Sequence, residues 1–296
     1  MMNGWKQFAL IGFPATLVIL MGTGYLTDRA AADMPGFYAW KLLSGEAHGG
    51  QYITANNIRT YFETYGSGNP VLILHGGLGC IESMEHQIGA LAGKHFVIAA
   101  DSRGHGRSGD DREPLSYHLM ADDMVSLLDV LKVQRTDVVG WSDGGIIALD
   151  LAMRYPERVR KIIAISANYD VGGLVNPAAA AESPPPPGIC QRGQNAAQRL
   201  SIYLKVIKLW QTEPRYSLRD LAKIKAPTLI MAGEFDVVRR THTYELAKAI
   251  AGAKEQIILG GTHSVILEKA SIVNAGILSF LDDIPCPASQ SDVKCQ

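Results

Sequence analysis

Gly140-Trp141-Ser142-Asp143-Gly144-Gly145 is the stretch on which the reading of this chain turns. Before it, Asp137–Gly140 reads as a short strand; after it, Gly144–Tyr155 carries helical spacing. A serine on a sharp strand-to-helix turn is held in strained backbone, and small flanking residues let the chain pass close to itself. The hydroxyl is thereby exposed above the sheet edge. The following helix points its positive end at an anion forming there. Ser142 is therefore the candidate nucleophile.

Outward from this turn the chain alternates short apolar runs with helical stretches. Val71–Leu74, Phe96–Ala100, Arg160–Ile165, Thr228–Ala232 and Gln256–Leu259 are the other strand candidates. Helices are expected at Glu82–Ala92, Tyr117–Leu131, Thr241–Ala251 and Val265–Leu281. Nearly continuous apolar strands between helices predict an α/β fold with a mostly parallel, doubly wound sheet. A hairpin precedes it: Tyr52–Thr54 and Arg59–Thr64 flank the turn residues Ala55-Asn56-Asn57. The alternation breaks once, over residues 167–218, which contain Pro184–Pro187 and a helical stretch at Asn195–Trp210. Proline cannot donate to a central strand. The segment is expected to form a small helical lid inserted before the penultimate core strand.

A serine needs a base to take its proton, and the base needs an acid to hold it. His263, in Gly260-Gly261-Thr262-His263-Ser264, falls between the last strand and the last helix. Asp236 follows the strand Thr228–Met231 and completes the chain order Ser, Asp, His. Glu234 and Asp170 are the competing carboxylates. For an oxyanion, the amide of Asp143 is one expected donor. The other is Gly77 in His75-Gly76-Gly77-Leu78-Gly79, with Leu78 as the alternative. Trp141 and the Asp143 side chain are candidate substrate contacts. Asp101, Arg103, His105 and His75 are read as structural.

Composition bounds the rest. The 296 residues are 47% hydrophobic with formal net charge −1, which offers no basic footprint for nucleic acid. Lys6 precedes an apolar run over residues 8–26, followed by Ala30-Ala31-Ala32. Residues 1–32 match a secretory signal and are also about long enough to stay as a membrane anchor. Either way the bulk of the chain is expected outside the cytoplasm. Residues 33–50 read as a linker, 51–283 as the main domain and 284–296 as a tail. Cys80, Cys190, Cys286 and Cys295 lack metal-ligand spacing. They read as unrelated thiols, with a Cys286–Cys295 bridge as the alternative in an oxidising compartment.

Across residues 51–283 these features resemble the α/β-hydrolase superfamily. Asp101-Ser102-Arg103-Gly104-His105-Gly106-Arg107-Ser108 and Ala226-Pro227-Thr228 add to the match. The elbow itself resembles that of the valacyclovir-hydrolase (biphenyl-hydrolase-like) proteins, and small carboxylesterases look similar outside it. The resemblance implies ester hydrolysis without a metal or organic cofactor. It also links Asp143 to substrates carrying an amino group. The expected activity is serine hydrolysis of a small-molecule ester or related acyl bond through Ser142, His263 and Asp236. Lactone, C–C bond or perhydrolase chemistry on the same three residues, or a ligand-binding receptor, are the alternatives.

Overall fold

The computed structural model describes residues 37, 39–41, 47–111, 113–175, 188–191, 193–284 and 293–295. The chain opens with an antiparallel hairpin, β1 (Ala47–Ala55) and β2 (Ile58–Tyr65). Asn56 and Asn57 take φ of 48° and 64°. Two consecutive positive φ values give a turn whose twist matches the strands it joins. Next come β3 (Asn69–Leu74), α1 (Glu85–Ala92), β4 (His95–Ala100), α2 (Tyr117–Val130), β5 (Thr136–Trp141), α3 (Asp143–Arg154) and β6 (Val159–Ile165). The expected insertion holds α4 (Ala196–Thr212) and the short α5 (Leu218–Leu221). It is followed by β7 (Thr228–Phe235), α6 (Arg240–Ala249), β8 (Lys254–Thr262), α7 (Val265–Glu268), α8 (Ala270–Leu281) and β9 (Val293–Cys295).

The nine strands form one sheet in the order β1-β2-β4-β3-β5-β6-β7-β8-β9. The six from β4 to β8 are parallel, and β1, β2 and β9 are antiparallel additions at the edges. Alternate residues of a strand face opposite layers. Leu72 and Leu74 join the core under α2 and α3, while Val71 and Ile73 join the one under α1 and α8. The strand order reverses between β3 and β5. In open α/β sheets, ligands bind beyond the carboxyl ends of the strands at such a reversal.

Several sequence expectations change. The segment read as linker (33–50) contributes to the fold: β1 starts at Ala47, and Phe37, Trp40 and Tyr65 stack together. A Gly- and Ala-rich strand at a sheet edge leaves no apolar alternation to read. The tail supplies β9, whose Val293 pairs with Ile258. The last helix is two, α7 and α8, split at Lys269. Cys80 and Cys190 form a disulfide with their Cα atoms 5.3 Å apart, so the cysteines are not four unrelated thiols. The proposed signal or anchor (1–32), Pro184–Pro187 and Cys286 lie outside the described residues. Among the described residues no helix is long and apolar enough to cross a membrane.

Candidate active site

Ser142 sits between β5 and α3 with φ 54° and ψ −120°. A non-glycine residue rarely holds such a conformation, and its surroundings must enforce it. The Ser142 amide donates to the Ile165 carbonyl at 2.8 Å, and the Ser142 carbonyl accepts from Ile146 at 3.0 Å. The elbow is pressed against β3: a Cβ on Gly144 would lie 2.3 Å from the Leu74 carbonyl oxygen. Only glycine fits that approach.

His263 leaves the end of β8 and reaches Ser142. Its Nε2 lies 3.0 Å from Ser142 Oγ, and its Nδ1 lies 2.8 Å from Asp236 Oδ1. Asp236 is almost wholly enclosed, and its Oδ1 also accepts from the Val238 amide at 3.0 Å. Burial works to raise the Asp236 carboxyl. The charge and hydrogen bond of His263 outweigh it and hold the group below the usual carboxylate range. Burial likewise pulls the His263 imidazole down, and Asp236 more than offsets this, leaving it above its ordinary value. The competing carboxylates are elsewhere. Glu234 is exposed and accepts from the Gly260 amide, and Asp170 caps the short turn at Val171–Gly173.

The loop after β3 lies against this row. A Cβ on Gly76 would sit 3.1 Å from Ser142 Cβ, and one on Gly77 would sit 2.5 Å from Asp143 Oδ2. Leu78 holds φ 58°. Among the described residues, no backbone carbonyl takes the amide hydrogen of Gly77, Leu78 or Asp143. Asp143 is the first residue of α3, so its amide is one of the helix's orphan donors. His75 organises the loop as expected. Its Nε2 accepts from the Ser102 amide at 3.0 Å, so Nδ1 donates to the Gly76 carbonyl at 2.7 Å. Burial depresses its pKa to about 4, which keeps it neutral.

Two of the sequence-predicted contacts are placed differently from the reading. Trp141 is 3% exposed, and its indole N–H donates to the His263 carbonyl at 2.8 Å. It ties down the backbone of His263. Asp143 is 6% exposed, and its carboxylate already has partners. Its Oδ1 accepts from the Tyr117 hydroxyl at 3.0 Å and from Trp210 Nε1 at 2.9 Å, and its Oδ2 lies 3.0 Å from the same Nε1. Burial pushes its pKa up to about 6, against the pull of these two donors.

Tyr117, Trp210 and the Cys80–Cys190 disulfide were not singled out by sequence reasoning. Trp210 stands at the end of a recognisable helix, but no local pattern announces a partner 67 positions away. Cys80, Glu82 and Asp101 cluster as metal ligands would, yet all three are committed. Cys80 is in the disulfide, and Arg107 binds Glu82 at 2.7 and 2.8 Å and Asp101 at 2.8 Å. Arg103, fully buried, pairs with Asp123 at 2.7 and 2.9 Å, a structural use of the turn after β4.

Residues 69–188 match a family described as the alpha/beta hydrolase fold. A carbamate hydrolase RutD of Azorhizobium caulinodans is 29% identical over 80% of this chain and 98% of its own length. The human serine hydrolase BPHL is 29% identical over 90% of this chain and 99% of its own. Among solved structures, a bacterial membrane phospholipase A superposes with a TM-score of 0.71 at 19% identity, covering 90% of this chain and 95% of that one. At that identity the superposition speaks for the fold alone. Strand order, elbow geometry and these relatives make the chain an α/β-hydrolase-fold protein, similar to hydrolases of the biphenyl-hydrolase-like type.

Proposed function

We propose that the chain is a serine hydrolase that cleaves a small carboxylic ester or a related acyl bond. The observation that carries this reading is the hydrogen-bonded row Ser142 Oγ, His263 Nε2, His263 Nδ1, Asp236 Oδ1, with separations of 3.0 and 2.8 Å across the two contacts. Asp236 accepts from Nδ1–H, which leaves Nε2 as a lone pair facing the serine. As Ser142 attacks the carbonyl carbon, its proton passes to Nε2, and Asp236 steadies the imidazolium. The carbonyl oxygen becomes an anion next to the free amides of Asp143 and Gly77, where the N-terminus of α3 adds its partial positive charge. His263 then gives the proton to the departing alkoxide, leaving an acyl-Ser142. A water deprotonated by His263 attacks the acyl carbon, and the acid and free Ser142 are regenerated.

The apolar N-terminal run and the Cys80–Cys190 disulfide support an exported location for this activity, because disulfides persist in oxidising compartments. The test is a panel of neutral esters, lactones and aminoacyl esters assayed with the wild type and Ser142→Ala, with product identification. A fluorophosphonate should label the folded wild type at Ser142 and leave Ser142→Ala unlabelled. Absence of label on Ser142 in folded protein would sink the reading. Turnover of a C–C or peracid substrate with no ester cleavage would reassign the chemistry on the same three residues.

A further inference from the structure

We propose that Trp210 and Tyr117 are positioning residues for the reaction: by holding the Asp143 carboxylate beneath Gly77, they latch the insertion helix α4 onto the loop that supplies the second oxyanion donor. The proposal rests on the serine-hydrolase reading above, and Trp210 and Tyr117 themselves take no part in that mechanism.

The latch joins four pieces of chain at one carboxylate. Asp143 belongs to α3, Tyr117 to α2 and Trp210 to α4, and both donors converge on Oδ1 at 3.0 and 2.9 Å. The fourth piece is the loop after β3. A Cβ on Gly77 would fall 2.5 Å from Asp143 Oδ2 and 2.6 Å from Trp210 Cζ2, so Gly77 rests on the carboxylate and on the indole edge together. Moving either partner moves the floor under the Gly77 amide.

Apolar burial also attaches α4 to the body, through Ile202, Val206 and Leu209. Such burial is non-directional and tolerates sliding. A carboxylate shared by two fixed donors does not, because hydrogen bonds weaken steeply with misalignment. A second point of the insertion, near its middle, is fastened to the same loop. Cys190 is bonded to Cys80, and Gln191 Nε2 donates to the Leu78 carbonyl at 3.0 Å. The oxyanion loop is thus gripped by the insertion at two points. Oxyanion stabilisation depends on donors set in advance where charge will develop, and a displacement of about 1 Å can cost on the order of a hundredfold in rate. This gives the insertion a part in the chemical step as well as in covering the site.

The experiment uses the full chain and a small neutral ester. Trp210→Phe keeps an aromatic ring but removes both the indole N–H and the ring edge that faces Gly77, and Tyr117→Phe removes a hydroxyl alone. The expected result is a kcat lowered about tenfold or more with KM changed less than about twofold, the pattern of an interaction felt in the transition state. The rate constant for fluorophosphonate labelling of Ser142 should fall in parallel. Tyr117→Phe should act in the same direction, and the double variant should lose less than the product of the single losses, because both donors serve one acceptor. Wild-type kcat in a Trp210→Phe protein whose thermal midpoint has dropped would overturn the latch, leaving a packing contact. A matching rise in KM with kcat unchanged would overturn it too, since that marks substrate binding. A wild type that takes no label on Ser142 would instead remove the hydrolase reading, and the latch with it.

Discussion

The indole N–H of Trp141 donates to the backbone carbonyl of His263 across the tops of two intervening strands, with the nitrogen and oxygen 2.8 Å apart. The residue before Ser142 therefore fixes the backbone of His263. Ser142 and His263 lie at the ends of strands separated by β6 and β7. Without a tie, their 3.0 Å contact depends on the register of four strands and the path of a loop. The tie makes the two loops one unit.

Trp141→Phe should loosen that unit while retaining most of its packing. A buried carbonyl left without its donor costs about 1–3 kcal/mol. The expected outcome is a kcat/KM lowered by roughly tenfold, with a modest drop in thermal midpoint. Steady-state kinetics and a melting curve check it, and unchanged kcat/KM would show that the loop holds itself.

The acid limb of kcat/KM should report His263. On the proposed mechanism neutral imidazole is the active form, and Asp236 with its neighbours holds the group above its ordinary value. Activity is then full above the His263 pKa and lost as pH falls through it. Asp143 adds to this upward shift as a nearby carboxylate. Removing its charge in Asp143→Asn should move the acid limb to lower pH, whatever happens to the plateau. A limb that stays in place or moves up would contradict the electrostatic coupling. Asp236→Asn should cost far more, on the order of ten-thousand-fold in kcat, because His263 would lose its tautomer control.

Much of this was legible before the structure because each signal is local. The elbow compresses a strand end, a strained turn and a helix start into six residues, 140–145. His263 and Asp236 each follow a strand whose apolar run is visible. What stayed hidden is long-range. Trp210 meets Asp143 from an inserted helix, and Cys190 meets Cys80 across 110 positions. Neither partner carries a sequence mark naming the other. β1 was partly missed because Gly49 and Gly50 erase the alternation that reveals an edge strand. The tie from Trp141 to the His263 carbonyl was equally hidden, because its partner lies 122 positions away.

The Cys80–Cys190 bridge should be worth measurable stability. It closes a long stretch of chain, and bridges of this kind contribute about 2–4 kcal/mol. Reductant should lower the thermal midpoint of the wild type by several degrees or more. The Cys190→Ser protein should start from the lower value, with reductant adding little to the loss. Since Cys80 is three residues from Gly77, kcat should fall together with the midpoint. Identical melting with and without reductant would argue against this pairing in the folded protein.

The occupied state of Asp143 bears on which esters are turned over. The resemblance of the elbow implies a carboxylate that receives a substrate amino group. An ammonium could do so only by reaching a residue that is 6% exposed and competing with donors at 2.9 and 3.0 Å. The indole N–H of Trp210 already occupies the position shared by both carboxylate oxygens. With that position filled, an α-amino group on the substrate gains no partner and still pays to leave water. We therefore expect kcat/KM for an α-aminoacyl ester to be no higher than for the matched ester lacking the amine. In Trp210→Phe, which frees one face of the carboxylate, the ratio of aminoacyl to neutral turnover should rise even as both rates fall. Paired assays on the two esters with wild type and variant decide the matter. A wild-type preference for the aminoacyl ester of about tenfold or more would mean that Trp210 yields to the substrate, and that the latch opens on binding.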